Sequence, residues 1–365
     1  MNENIIKKKN GYKIWIVVVL VILAATVIYF EYPQINTGNE PVLNILTYSS
    51  LMQYGSNPNE TLKYIFGNFE NWYHVKINII YASGDLMTQL AQTNGENYDI
   101  VIGLSNLDAS VASKSGILYN FSVSNETYIN SSLFRYMGTN NIIPYEYSFL
   151  TNDFNYSGPI NSSIIENLTY SDLYNNTIAS QYITENPISS ITGEEFLLGQ
   201  IAFYSSVLKE NWTLFWKNAK NIDVTADWSD GFNLFENGQK QIFYSYITDP
   251  SYNAYFNYSR IGTVPFHFNG KEYAWMEVLG IGILNSSKNK ALDKEFVNWF
   301  LGTKVQDLIP LNEWMYPASS IASIPPCYSV NPSPSDIIPL NYYMNATYIG
   351  NNIEQWLLEW KQVEG

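Results

Sequence analysis

Val42–Tyr48 reads VLNILTY, Val75–Tyr81 reads VKINIIY and Tyr98–Leu104 reads YDIVIGL. Each is a short apolar run rich in β-branched residues, the pattern of a strand buried on both faces. Between the first two, Asn59 is placed to cap a helix whose Leu62, Ile65, Phe66 and Phe69 fall on one face. Between the second and third, Gly84 and Asp85 open a short helix carrying Leu86 and Leu90, and 106–113 reads as helical. This β-α-β-α-β order predicts a parallel sheet with helices on its faces. In such sheets ligands bind beyond the carboxyl ends of the strands. Those ends hold Tyr48-Ser49-Ser50, Ser83-Gly84 and Gly103-Leu104-Ser105. They are small or aromatic, with no carboxylate pair and no His, a composition better suited to holding a ligand than to moving protons.

Outward from this core the alternation continues. Tyr145–Asn152 (YEYSFLTN) predicts a long strand leaving the first lobe. Residues 155–180 are rich in Asn, Ser and Tyr and show little periodicity. Thr192 before Gly193-Glu194-Glu195 marks a helix start, with Phe196, Leu197, Ile201, Ala202 and Val207 as its apolar face. Trp228–Phe235 reads as a helix, Gln241–Ile247 as a strand ended by Pro250, and Tyr273–Leu284 as a long apolar stretch. Near the end, Ile353, Trp356, Leu357 and Trp360 recur at helical spacing, so both Trp are expected to be core. A chain of 365 residues accommodates two lobes. The expected division is 42–147 for the first lobe, 148–253 for the second, 254–305 back in the first and 306–365 back in the second. The chain is expected to cross between lobes near Tyr145–Asn152, near Pro250 and near Pro310.

The N-terminus carries a different signal. A basic segment, 1–13, with Lys7, Lys8, Lys9 and Lys13, precedes the uncharged apolar run 14–30. Seventeen apolar residues are the short end of a membrane span, and the flanking Lys predict a cytoplasmic N-terminus with the rest exported. The other reading is a cleaved signal sequence, since Ala24-Ala25-Thr26 supplies small residues near its end. Residues 31–41 read as a polar tether. Asn-x-Ser/Thr triplets begin at Asn59, Asn120, Asn125, Asn130, Asn155, Asn161, Asn167, Asn175, Asn211, Asn257, Asn285 and Asn345, which predicts a glycan-bearing extracellular surface.

Composition narrows the function. The net charge of −14 excludes a binder of nucleic-acid phosphates. Two His and one Cys exclude a structural zinc site and a disulfide framework. His74 and His267 have no nucleophile motif beside them, and neither a Gly-x-Ser-x-Gly elbow nor a Walker loop is present. No enzyme activity and no cofactor are therefore expected. Aromatics make up 16% of the chain, and several fall where strands end: Tyr48, Tyr54, Trp228, Tyr246, Tyr252, Trp314 and Tyr316. Aromatic faces attract organic cations and stack on flat heterocycles. In a chain this aromatic, core packing alone would also put some of them near a cleft.

From Val42 to the C-terminal Trp-rich helix the sequence resembles the thiamine-binding components of ABC importers, solute-binding proteins of two α/β lobes. The strings that carry the likeness are Leu46-Thr47-Tyr48-Ser49-Ser50, Tyr98–Leu104, Trp228-Ser229-Asp230, Tyr244–Tyr252, and Ile309-Pro310 followed by Asn312–Pro317. The last, NEWMYP, is the most specific. The resemblance implies a type II periplasmic-binding-protein fold with an interlobe cleft. It implies that Tyr48, Tyr252 and Trp314 enclose the ligand rings, with Tyr54 standing where the family has Trp. Trp228 and Tyr246 would close the second lobe, Ser190 would offer a helix start to a phosphate, and Gly84 would lie beside the pyrimidine. The family's acidic residues are Ser49, Ser83 and Ser105 here, and Glu277 matches a family Glu that would compensate. The implied function is capture of thiamine or a thiamine phosphate by a monomer and its delivery to an ABC permease with ATPase subunits. A same-fold binder of a polyamine, ferric ion or oligosaccharide is the alternative, and a secreted hydrolase the alternative of another class.

Overall fold

The computed structural model describes residues 40–364, apart from Ser259. The apolar run 14–30 lies outside the described residues. Among the described residues no helix is long and apolar enough to cross a membrane.

Twelve strands form one mixed sheet: β1 (Val42–Thr47), β2 (Lys76–Tyr81), β3 (Ile100–Ser105), β4 (Ile142–Asn155), β5 (Tyr182–Glu185), β6 (Asp223–Thr225), β7 (Ile242–Tyr246), β8 (Ile261–Val264), β9 (Phe266–Phe268), β10 (Lys271–Ile283), β11 (Tyr316–Pro317) and β12 (Ile337–Pro339). The main order is β2-β1-β3-β10-β4-β7-β5-β6. β1 pairs in parallel with β2 and β3, as the alternating sequence predicts, and β5 pairs in parallel with β6 and β7. The centre is antiparallel: β10 joins β3 to β4, and β4 joins β7. This mixed α/β sheet is of the kind the resemblance implies.

Two long strands organise the interior. β4 has 14 residues and β10 has 13, and they pair along most of their length. On the β1–β3 side the buried apolar residues form one cluster, including Ile45, Ile102, Phe149, Met276, Phe300 and Trp314. On the β5–β7 side they form a second, including Leu150, Phe196, Trp216, Trp275 and Trp360. Burial of each such large side chain contributes roughly 1.5–3 kcal/mol, so each cluster is a core in its own right. The chain changes cluster between Phe149 and Leu150 and again around Trp275 and Met276. Ile247 packs with the first cluster and Val264 with the second, so residues near Pro250 also lie at a change. Val305, Ile309, Trp314, Met315 and Ile337 pack with the first cluster and Leu340 with the second.

Local differences from the sequence expectations have simple causes. The helix expected to start at Asn59 starts at Pro58, whose fixed φ suits the first helical position. The helix expected after Thr192 runs Ile191–Ala202 with Ser190 as its cap. Trp356 and Trp360 are buried in the second cluster, on the Ala346–Glu364 helix.

Candidate binding site

The register of β4 and β10 sets one face of the sheet. Glu277 lies opposite Ser148, Leu279 opposite Glu146, and Trp275 opposite Leu150, which is itself opposite Tyr246 of β7. Side chains two apart share a face. Glu146, Ser148, Tyr246, Trp275 and Glu277 therefore stand on the same side of the central strands, where the two cores meet. Tyr147 and Phe149 point the other way, Tyr147 stacking on Tyr316 at 5.5 Å.

Carboxylates gather around this junction. The Tyr48 hydroxyl lies 3.1 Å from the Tyr145 hydroxyl and donates to Glu146 Oε1 at 3.4 Å. Glu313 accepts a hydrogen bond from the Met52 backbone N–H. Trp275 Nε1 donates to Glu195 Oε1 at 3.2 Å. Glu185 accepts from the hydroxyls of Ser190 and Thr192. Glu146 and Glu195 are both 0% exposed, and Glu146 Oε2 and Glu195 Oε2 are buried without a hydrogen-bond partner.

Burial is the main cause of the electrostatics. It pushes Glu146 well above the usual carboxylate range, and the Glu313 and Glu277 charges push further. Burial raises Glu313 to about 8, against the Met52 N–H and the Tyr48 hydroxyl. Glu277 rises to about 7 by burial, opposed by the Tyr246 hydroxyl beside it. Glu194 rises to about 7 by burial and the Asp108 and Asp85 charges. Asp108 rises to about 6 by burial, opposed by its hydrogen bonds from Ser105. The electrostatic couplings bridge the two sides. Asp85 and Asp108 follow β2 and β3, whereas Glu194 and Glu195 open the Ile191–Ala202 helix beyond β5.

The aromatic residues fall into separate places. Trp314 sits beside Glu313 with its indole N–H donating to the Tyr54 carbonyl at 3.1 Å, and Tyr252 meets its ring edge-on at 5.0 Å. Tyr54 itself is 53% exposed. Met52 and Trp314 both adopt left-handed backbone, φ 56° in each case, an unfavourable geometry for a bulky residue and one found at ligand clamps. Tyr48 lies over Gly103, where an added Cβ would come within 2.4 Å of its ring. Tyr246 and Glu277 come together, and Ser190 faces Glu185 rather than open space. Ser83 and Gly84 lie exposed at the loop that also holds Asp85. Trp228 is half-buried away from Tyr246. It stacks on Phe232 at 4.7 Å and donates to Ser245 Oγ at 3.0 Å, on the opposite face of β7.

Sequence reasoning singled out Glu277 but missed Glu146, Glu195 and Glu313. The signal was present. Glu146 interrupts the otherwise uncharged string Tyr145–Asn152, and Glu313 sits inside the NEWMYP string. Nothing local pairs Tyr48 with Tyr145, which are 97 residues apart. Two cavities open elsewhere: one of about 680 Å³ bordered by Tyr156, Pro250 and Arg260, and one of about 530 Å³ bordered by Tyr136, Tyr147 and Met276. Among the described residues no cluster of His, Cys, Asp and Glu has the geometry of a metal site.

Comparison with known proteins agrees with this architecture. The profile of the bacterial extracellular solute-binding protein family matches residues 55–307. A thiamine-binding periplasmic protein of Salmonella typhimurium is 23% identical over 329 residues, spanning 88% of this chain and 93% of that one. The corresponding protein of Brucella abortus is 25% identical over 326 residues, spanning 87% and 90%. Among solved structures, a periplasmic thiamin binding protein matches with a TM-score of 0.71 at 19% identity, covering 91% of this chain and 100% of that one. A ferric binding protein from Campylobacter jejuni matches with a TM-score of 0.68 at 17% identity, covering 88% and 99%. A match across more than half the chain, on a fold with two cores joined by long strands, places it: this protein belongs to the bacterial extracellular solute-binding protein family.

Proposed function

We propose that this chain captures a thiamine compound between its two cores and hands it to an ABC permease. The single observation that carries the reading is the meeting of aromatic side chains with buried carboxylates that have no basic partner, Tyr48 with Glu146, Tyr246 with Glu277 and Trp275 with Glu195. Glu146 and Glu313 are coupled to each other and to tyrosines, and Glu277 to Asp108. Rings would stack on the pyrimidine and thiazolium, and the acids would balance the thiazolium charge and accept from the exocyclic amine. The thiamine-binding periplasmic relatives support the ligand class. The two buried clusters would act as lobes, with β4 and β10 as the hinge that opens to admit the ligand. In this reading Tyr48, Tyr54, Tyr246, Tyr252, Glu277 and Trp314 line the ligand, Ser83 and Gly84 border it, and Trp228 and Ser190 shape the second lobe. The N-terminal segment would hold the protein at the outer face of the membrane, or direct its secretion if cleaved, and part of the exposed surface would carry glycans.

Calorimetric titration of the full chain with thiamine, spermidine and ferric citrate tests this. Saturable binding of thiamine is expected. Binding of spermidine with no response to thiamine or its phosphates would overturn it. A second reading has one observation in its favour: Tyr48 and Tyr145 bring two phenol oxygens within 3.1 Å beside Glu146, hard donors that suit a hard cation. Ferric binding would announce itself in the same titration by a phenolate-to-iron absorption band.

A further inference from the structure

We propose that the junction is built for a cation without phosphate, so that free thiamine binds in preference to its mono- and diphosphate; this rests on the thiamine reading above. Three observations carry it. First, the carboxylate oxygens Glu146 Oε2 and Glu195 Oε2 are buried and unpartnered, and both residues stand at the meeting of the two cores. A buried acceptor of this kind needs a donor or positive charge, which a bound cation supplies.

Second, the helix start that would suit a phosphate is already filled. Ser190 caps the Ile191–Ala202 helix, and the carboxylate held by the Ser190 and Thr192 hydroxyls is the chain's own Glu185. An anion there would meet Glu185 together with Glu194 in the first helical turn. Glu185 thus occupies the hydroxyls that a phosphate at this helix start would use.

Third, the basic side chains that recognise phosphate are elsewhere. The chain has two arginines. Arg135 lies over the Tyr342 ring at 4.5 Å and Arg260 over the Tyr156 ring at 5.3 Å. The charges acting on Glu146, Glu195 and Glu277 are all acidic. A phosphate carried in here would oppose the ionisation of these buried acids, which a cation favours, and neither arginine stands at the junction to offset it.

The test is calorimetric titration of the full chain with thiamine, thiamine monophosphate and thiamine diphosphate at pH 7.5 (about physiological) and fixed salt. Thiamine is expected to bind at least about tenfold more tightly than the diphosphate, a difference of roughly 1.4 kcal/mol. Equal or tighter binding of the diphosphate overturns the charge rule while leaving the thiamine reading in place. No binding of any of the three overturns both. In Glu146→Gln and Glu195→Gln, checked for folding by circular dichroism, the preference is expected to narrow. A preference unchanged in both folded variants would show that these carboxylates do not set it, and would also overturn the proposal.

Discussion

At the residue scale the site depends on a few close approaches. Gly103 has φ +104°, and a methyl group there would meet the Tyr48 ring. Gly103→Ala is therefore expected to displace Tyr48 from Tyr145 and Glu146 as well as straining β3. A loss of thiamine affinity out of proportion to a modest fall in Tm would confirm it, and unaltered affinity would contradict it. Tyr252 stands over the edge of Trp314, half-buried, so its removal leaves the core largely intact. Tyr252→Ala is expected to weaken thiamine binding by at least ~1 kcal/mol, the scale of one good cation–π contact. Trp314→Ala is expected to weaken it by at least as much. Trp314 is 6% exposed, so calorimetry on this variant must be paired with a melting curve.

At the scale of elements, caps decide where helices begin, and some of the asparagines in glycosylation triplets bond the backbone at or just before a helix start. Asn130, Asn161 and Asn211 each accept with Oδ1 from the backbone N–H two residues on, and each is exposed. Their amide nitrogens are left toward solvent. Asn125 and Asn285 instead donate from Nδ2 to carbonyls, at 2.7 Å to Asn298 and at 2.6 Å to Gly116. Glycans on the native protein are expected at the first three and not at the last two. Glycopeptide mass spectrometry reads this directly, and modification at Asn285 would refute it. Asp227 caps the Trp228–Glu236 helix, its Oδ1 accepting from the Asp230 N–H at 3.0 Å. Asp227→Ala is expected to cost about 1 kcal/mol in urea unfolding and Asp227→Ser to recover most of it.

At the scale of the whole molecule the buried acids couple stability, pH and ligand. Glu277 and Glu313 titrate in the folded protein at about 7 and about 8, above their ordinary 4.5. Between those limits the folded state holds protons that the unfolded chain has released. Stability is therefore expected to fall as pH rises from about 4.5 to about 8, the reverse of a paired carboxylate. A cation placed among these groups favours their charged forms, so thiamine binding is expected to release protons and to tighten across the same window. Melting curves and calorimetry in buffers of different ionisation enthalpy would measure both. A stability that rises with pH over this range would contradict the electrostatic picture.

Much of this protein was legible before its fold. The parallel β1–β3 unit, the long strand from Tyr145, the Trp-rich final helix and the aromatic string ending in Trp314 are local patterns of periodicity and turn chemistry, and a linear sequence carries those fully. Which crossings join the two cores was less legible, because along the one strand β10 Tyr273 and Trp275 pack with one core while Ala274 and Met276 pack with the other. The acidic junction was legible only as scattered residues, Glu277 and the acid inside NEWMYP, and not as a cluster. Tyr48, Tyr145 and Glu313 are separated by most of the chain, and only strand register and burial bring them together. Local pattern was enough for the first parallel strands, the final helix and the family resemblance. The tertiary structure decided that carboxylates, stripped of water and without a basic neighbour, meet the aromatic rings, because desolvation is a property of position in the fold and not of the residue.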